Sequence, residues 1–153
     1  MLSLTKIFHF EMAHAIHGYA GACKNIHGHS YELHITVSAI TADTTYIPAP
    51  GFIIDFKEIK KIVTEKIITA FDHHIILSKD FLAANNSLCK LKNLIILDAE
   101  PSAENILIHF KNVLKGNLPT NIRILRLKLF ETNNSFAVWE ENIFPSYIKK
   151  KKK

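Results

Sequence analysis

Two cysteines, five glycines, five prolines and one tryptophan in 153 residues leave several protein classes without material. Cys23 and Cys89 cannot build a disulfide framework, which points to a reducing compartment. No apolar run approaches the roughly 20 residues of a membrane helix. The first residues lack the basic, apolar and small-residue order of a signal peptide. The expectation is therefore a cytoplasmic chain without a membrane partner. There is no internal repeat, P-loop or dinucleotide fingerprint. No basic stripe with interleaved aromatics suggests nucleic acid. The formal charge of +5 belongs to a tail, because Lys149 to Lys153 are all lysine and the rest of the chain balances. That run is read as a solvated terminus. With 48% hydrophobic and 22% charged residues, the remainder suits one domain, residues 1–148, followed by the tail 149–153.

What the chain does have is nine histidines, and three fall in telling places. Leu2 to Met12 reads as a strand with Leu4, Phe8, Phe10 and Met12 on one face, and His14 continues that parity. Ala15 to Asn25 reads as a loop. The next strand alternates cleanly: Tyr31, Leu33, Ile35, Val37 and Ala39 against Glu32, His34, Thr36 and Ser38. His27 and His29 carry the parity of the buried side, and Gly28 between them leaves room for a close approach to the backbone. Three histidines thus project onto the apolar faces of two successive strands. Buried imidazoles need partners, and three that converge match zinc with an open fourth position. Cys23, four residues before His27, is a nearby nucleophile, base or ligand. His9, His17, His34 and His109 read as surface or loop residues.

Further on, Asp55 and Glu58 form a capping-box-like pair. The apolar spacing then predicts a helix from Phe56 to about Phe71. It ends at Asp72-His73-His74, where the aspartate either orients a proton-relay histidine or merely neighbours a histidine favoured at a helix C-terminus. Ile75 to Glu100 is the least regular stretch, with a turn at Asn85-Asn86-Ser87 and a short strand at Leu94 to Leu97. Pro101-Ser102 opens a second helix, with Glu104 in its first turn and Gly116 at its end. Arg123 to Thr132 is a strand in which Leu125, Leu127 and Leu129 share parity with Glu131. That carboxylate is either solvated at a strand end or set in a pocket floor to grip a nitrogen-rich ligand edge. Phe136 to Glu140 is the last strand. The order predicts an α+β domain of antiparallel hairpins with helices on one face, whose open edges invite closure by neighbouring subunits.

Phe10-Glu11-Met12-Ala13-His14, Cys23-x-x-x-His27-Gly28-His29, Ile54-Asp55-Phe56, Asp72-His73-His74 and Glu131-Thr132 together resemble the 6-pyruvoyl-tetrahydropterin synthase family. Within it they are most similar to the bacterial 6-carboxy-tetrahydropterin synthases of queuosine biosynthesis, a likeness that the short Cys23-to-His27 spacing shares. The resemblance implies the tunnelling fold, with a four-stranded antiparallel sheet and two helices per subunit. It implies trimers closing a barrel, and two trimers stacked into a homohexamer. It implies zinc on His14, His27 and His29, Cys23 as base, Asp72 and His73 as its proton-relay partners, and Glu131 as the pterin anchor. At the start of the second helix the family's threonine-rich pattern is Ser102-Ala103, leaving Ser102 as the hydroxyl for the pterin. The implied reaction converts 7,8-dihydroneopterin triphosphate to 6-carboxy-tetrahydropterin, acetaldehyde and triphosphate. Two rivals stand beside it: a 6-pyruvoyl synthase that keeps the carbon skeleton, and a zinc-stabilised binding protein in which Cys23 is the fourth ligand. Ile75 to Glu100 is longer than in compact members and is expected to cover the pocket.

Overall fold

A computed structural model describes residues 2–40 and 46–141. The Lys149–Lys153 tail lies outside the described residues, so its reading is neither supported nor opposed. The elements are β1 (Leu4–His14), β2 (His27–Ala39), α1 (Phe56–Val63), a π-helical turn Thr64–Ile68, α2 (Thr69–Phe71), β3 (His74–Ser78), α3 (Lys79–Ala84), β4 (Leu94–Leu97), α4 (Ala103–Lys115), β5 (Ile122–Thr132) and β6 (Ser135–Glu140). Among the described residues no helix is long and apolar enough to cross a membrane.

The single sheet has six strands in the order β4-β3-β1-β2-β5-β6, not the four expected. It is mixed rather than antiparallel: β1, β2, β5 and β6 form an antiparallel meander, while β3 runs parallel to β1 and to β4. The extra pair escapes a period-two reading because its residues are continuously apolar. Ile75, Ile76 and Leu77 are all buried, as expected for a parallel strand covered on both faces.

The main core lies on one face. Phe8, Phe10, Met12, Tyr31, Leu33, Ile35 and Val37 from the first hairpin meet Ile59, Val63, Ile67 and Phe71 from the first helical run. Ile106, Leu107, Phe110 and Leu114 of α4 complete it. The Asp55 carboxylate caps α1 by accepting the Lys57 N–H at 2.8 Å. Ile75 and Leu77 point the other way and form a smaller cluster with Ala15, Phe81 and Leu82, so α3 covers the opposite side of β3, and the expectation of two helices on one face is corrected by this additional helix on the other.

Two local expectations are corrected. Leu125 does not share the buried face of Leu127 and Leu129. The β2–β5 register slips between Thr36 and Val37, and the buried residues of β5 switch from Ile122 and Ile124 to Leu127 and Leu129 across that bulge. His109 is not a surface residue but half-buried, its ring 5.6 Å from that of Phe71, and burial lowers its pKa.

Candidate metal centre

The β1–β2 register places His14 directly opposite His27, with His29 two residues on along the same face. One ligand nitrogen from each of the three rings lies within 4.8 Å of the others. His14 is 3% exposed, and His27 and His29 are half-buried.

Backbone carbonyls fix the ring tautomers. His14 Nδ1 lies 2.6 Å from the Pro101 carbonyl oxygen, and His27 Nδ1 lies 2.8 Å from that of Asn25. A carbonyl can only accept, so both Nδ1 atoms carry the ring proton and both Nε2 atoms present lone pairs. Those lone pairs face each other at 3.1 Å. Two acceptors at that distance repel unless a cation lies between them. Burial, the largest influence on His14, lowers its pKa and favours the neutral ring. A metal-bound histidine is also usually held this way, its N–H donated to a backbone carbonyl while the other nitrogen is left free. The donor set therefore fits a borderline cation such as zinc, held by three neutral nitrogens.

These rings line a cavity of about 550 Å³ with Cys23, Tyr19, Ser102, Glu104, Glu131 and Phe136. Cys23 sits in the 3-10 turn Ala22–Lys24 and is exposed. Ser102 caps α4, its hydroxyl accepting the Asn105 N–H at 3.4 Å. The residue before it supplies the carbonyl that orients His14, so one helix start serves both the fold and the site. Glu131 stands between the pairs Phe130–Phe136 and Thr132–Ser135, where the β5–β6 register shifts, and its Oε1 lies 3.8 Å from His14 Nε2. The Tyr31 ring packs edge-on to those of His14 and His29, and its hydroxyl is buried with no hydrogen-bond partner among the described residues. Burial first, and the Glu131 carboxylate second, raise its pKa. Neither the Pro101 and Asn25 carbonyls nor Tyr31 was expected at the site. A carbonyl has no signature in sequence, and Tyr31 reads as an ordinary apolar-face residue.

Asp72 and His73 are not brought to this cavity. They flank a separate hollow of about 370 Å³ lined by Glu11, Gly28, Ser30, His73 and Asn93, and His29 borders both spaces. Asp72 Oδ1 lies 2.9 Å from His73 Nδ1 and accepts the Glu11 N–H at 2.9 Å. That backbone hydrogen bond, ahead of His73, lowers the Asp72 pKa. His73 takes a left-handed φ of 60°, donates its N–H to the Glu11 carbonyl, and accepts at its own carbonyl from Asn93 Nδ2 at 3.0 Å. The expected relay with Cys23 is thus not assembled within one chain. Nor does Ile75 to Glu100 cover the metal cavity. None of its residues line that space, because they build β3, α3 and β4 at the sheet edge.

Fold and site together define a one-sheet α+β domain carrying a three-histidine, metal-competent cavity rimmed by a thiol and a carboxylate. Residues 3–142 match the model of the family described as 6-pyruvoyl tetrahydropterin synthase, and the chain belongs to that family. It is 34% identical over 141 residues to the 6-carboxy-5,6,7,8-tetrahydropterin synthase of Rickettsia typhi, covering 90% of this chain and 99% of that one. It is 30% identical to the enzyme of the same name from Haemophilus influenzae, covering 92% and 100%. The 6-pyruvoyl tetrahydropterin synthase of Caenorhabditis elegans shares the fold, with a TM-score of 0.64 at 18% identity over 92% of this chain and 95% of that one.

Proposed function

We propose that the chain is a zinc-dependent 6-carboxy-tetrahydropterin synthase acting on 7,8-dihydroneopterin triphosphate. The observation that carries this reading is one cavity in which Cys23 and Glu131 share walls with His14, His27 and His29. The named relatives, matched over nearly their whole length, supply the substrate class.

His14, His27 and His29 hold the zinc, which when bound supplies a Lewis acid for the substrate's side-chain hydroxyls. Cys23 as thiolate takes the proton from the side-chain carbon beside the ring. Glu131 accepts hydrogen bonds from the pterin amino and ring N–H groups, and the Ser102 hydroxyl at the head of α4 meets the ring's polar edge. Asp72 and His73 relay protons to the Cys23 of a neighbouring protomer, which makes the active unit an oligomer. Trimers that close a barrel, stacked in pairs as a hexamer, fit the two open edges of the sheet. Exposed Phe136 and Val138 on β6 and Ile96 on β4 support that closure. The free thiols of Cys23 and Cys89 suit the cytoplasm.

Zinc-loaded protein is incubated with 7,8-dihydroneopterin triphosphate and the product identified by mass. 6-Carboxy-tetrahydropterin and acetaldehyde support this reading. A 6-pyruvoyl product with the carbon skeleton intact transfers the assignment to the second member of the family. Zinc bound by four protein ligands including Cys23, with no turnover, leaves only a binding protein.

A further inference from the structure

Asn93 is a polar side chain outside the metal cavity and outside both apolar clusters. It stands immediately before β4, within the stretch whose sequence reads least regularly. β4 runs parallel to β3 with Leu94 opposite Ile75, which brings Asn93 beside the turn that leads from Asp72 into β3. The Asn93 carbonyl accepts the Ile75 N–H at 2.9 Å, so its backbone is tied to the sheet. Its side-chain Nδ2 donates to the His73 carbonyl at 3.0 Å, and Asn93 and His73 line one hollow.

His73 needs such a tie. Its φ of 60° lies in the left-handed region, which is unfavourable for a residue with a Cβ and persists only where the surroundings fix it. Packing does not fix it, because the His73 side chain is 78% exposed. Hydrogen bonds hold it instead. The His73 N–H donates to the Glu11 carbonyl at 2.6 Å, which secures the nitrogen end of the residue. Asn93 secures the carbonyl end. Together they set the direction in which the Cα–Cβ bond leaves the chain. The Asp72 carboxylate, 2.9 Å from Nδ1, then sets the rotation of the ring and leaves Nε2 as the nitrogen able to exchange a proton.

We propose that Asn93 is a positioning residue for His73, its amide holding the carbonyl end of the left-handed turn so that the Asp72-bound imidazole keeps one direction of approach. This rests on the relay reading above, in which Asp72 and His73 pass protons to Cys23. It gives β4 a part in the reaction, as the strand that delivers the amide. The β3–β4 ladder is made by backbone groups, so removing that amide leaves the ladder in place and releases only the His73 carbonyl.

The test measures kcat and KM on 7,8-dihydroneopterin triphosphate for zinc-loaded wild type, Asn93→Ala, Asn93→Leu, His73→Ala and the Asn93→Ala/His73→Ala double variant. Zinc content, Tm and hydrogen exchange at the His73 amide are read on the same samples. Asn93→Ala lowers kcat about five- to tenfold, the share of one hydrogen bond, with KM and zinc at wild-type values. Asn93→Leu, which keeps the bulk without the donor, gives the same loss. The His73 amide exchanges faster in both. In the His73→Ala background Asn93→Ala lowers turnover no further, because Asn93 acts through His73. Wild-type kcat or unchanged exchange in the Asn93 variants overturns the proposal, as does an equal loss on both backgrounds. A loss that falls on KM, on zinc or on folding in both Asn93 variants also overturns it, by assigning the amide to substrate, metal or the sheet. If wild type shows no turnover, or His73→Ala keeps it in full, the reading above falls and takes this proposal with it. If His73→Ala is impaired and the Asn93 variants are not, only the Asn93 assignment falls.

Discussion

The β1–β2 hairpin separates two polar constellations built by different means. On the helix-covered side, His14, His27 and His29 converge because strand period and cross-strand register put them there, and the core behind them holds their rings. Across the hairpin, Asp72 and His73 sit at a helix exit. They are positioned by backbone hydrogen bonds from and to Glu11 and by a left-handed φ at His73. The His14 side chain is 4% exposed and that of His73 is 78% exposed. The three histidines converge within one chain from buried and half-buried positions, whereas His73 faces solvent. Burial thus organises one set of groups, and backbone hydrogen bonds pin the other on an exposed surface.

The largest expected effect breaks the buried side alone. His27→Ala or His29→Ala should reduce zinc to below about a tenth of an equivalent per chain, since three ligands are the minimum of a tight catalytic site. Asp72→Asn should leave zinc untouched. Full zinc stoichiometry in either histidine variant would remove the metal from this cavity.

The next effect joins the two sides. Cys23→Ala should retain zinc and fold while turnover drops by about 10²–10⁴-fold, the range for a positioned proton-transfer group. Asp72→Asn should also lower turnover. Refolding the two inactive variants together should restore roughly a quarter of wild-type activity, the statistical share of interfaces with one intact Cys23 and one intact Asp72. No recovery on mixing would place both groups in service of the same chain.

Glu131→Gln comes third. It keeps the side chain's shape but sets a donor against a donor, and pterin binding should weaken by about 2–4 kcal/mol with zinc unchanged. Calorimetric titration with neopterin reads this directly, and wild-type affinity would return Glu131 to the role of a solvated strand end.

The smallest effect separates the two sides by pH. Burial lowers the pKa of His109, behind the metal face, from 6.5. The unfolded state therefore binds more protons below that value, and the stability His109 contributes is present above pH 6.5 and lost as pH falls through the folded pKa. Asp72 is lowered from 3.8, chiefly by the Glu11 N–H, so its contribution is present above pH 3.8 and is lost only on further acidification. In thermal melts of metal-free protein against pH, His109→Gln should flatten the upper limb and Asp72→Asn the lower one. If His109→Gln changed the lower limb instead, the assignment of the two windows would be wrong.

Much of this was legible in the chain, and the exceptions share a cause. β1, β2, β5 and the outward half of β6 alternate because one face is covered and the other is not. α1 and α4 carry apolar stripes and their own caps, Asp55 and Ser102. β3 had no period to read, since helices cover both its faces and every residue from Ile75 to Ser78 is buried. The slip beside Leu125 left no local mark, because a bulge is a property of two paired strands rather than of one.

By itself, the sequence determined which residues could share a face: His14 with Met12 and Phe10, and His27 and His29 with Tyr31. Side-chain alternation along a strand is local geometry and needs no partner. It likewise determined where α1 and α4 begin, at the caps Asp55 and Ser102, because caps are local. Only the tertiary structure decided that Pro101, 87 residues from His14, lends the carbonyl that fixes its tautomer. Only it packed Tyr31 against the rings of His14 and His29 and left His73 lining a different hollow from Cys23. Those relations depend on how strands pair and helices pack over long sequence separations, and backbone carbonyls, which take part in them, are the same in every residue.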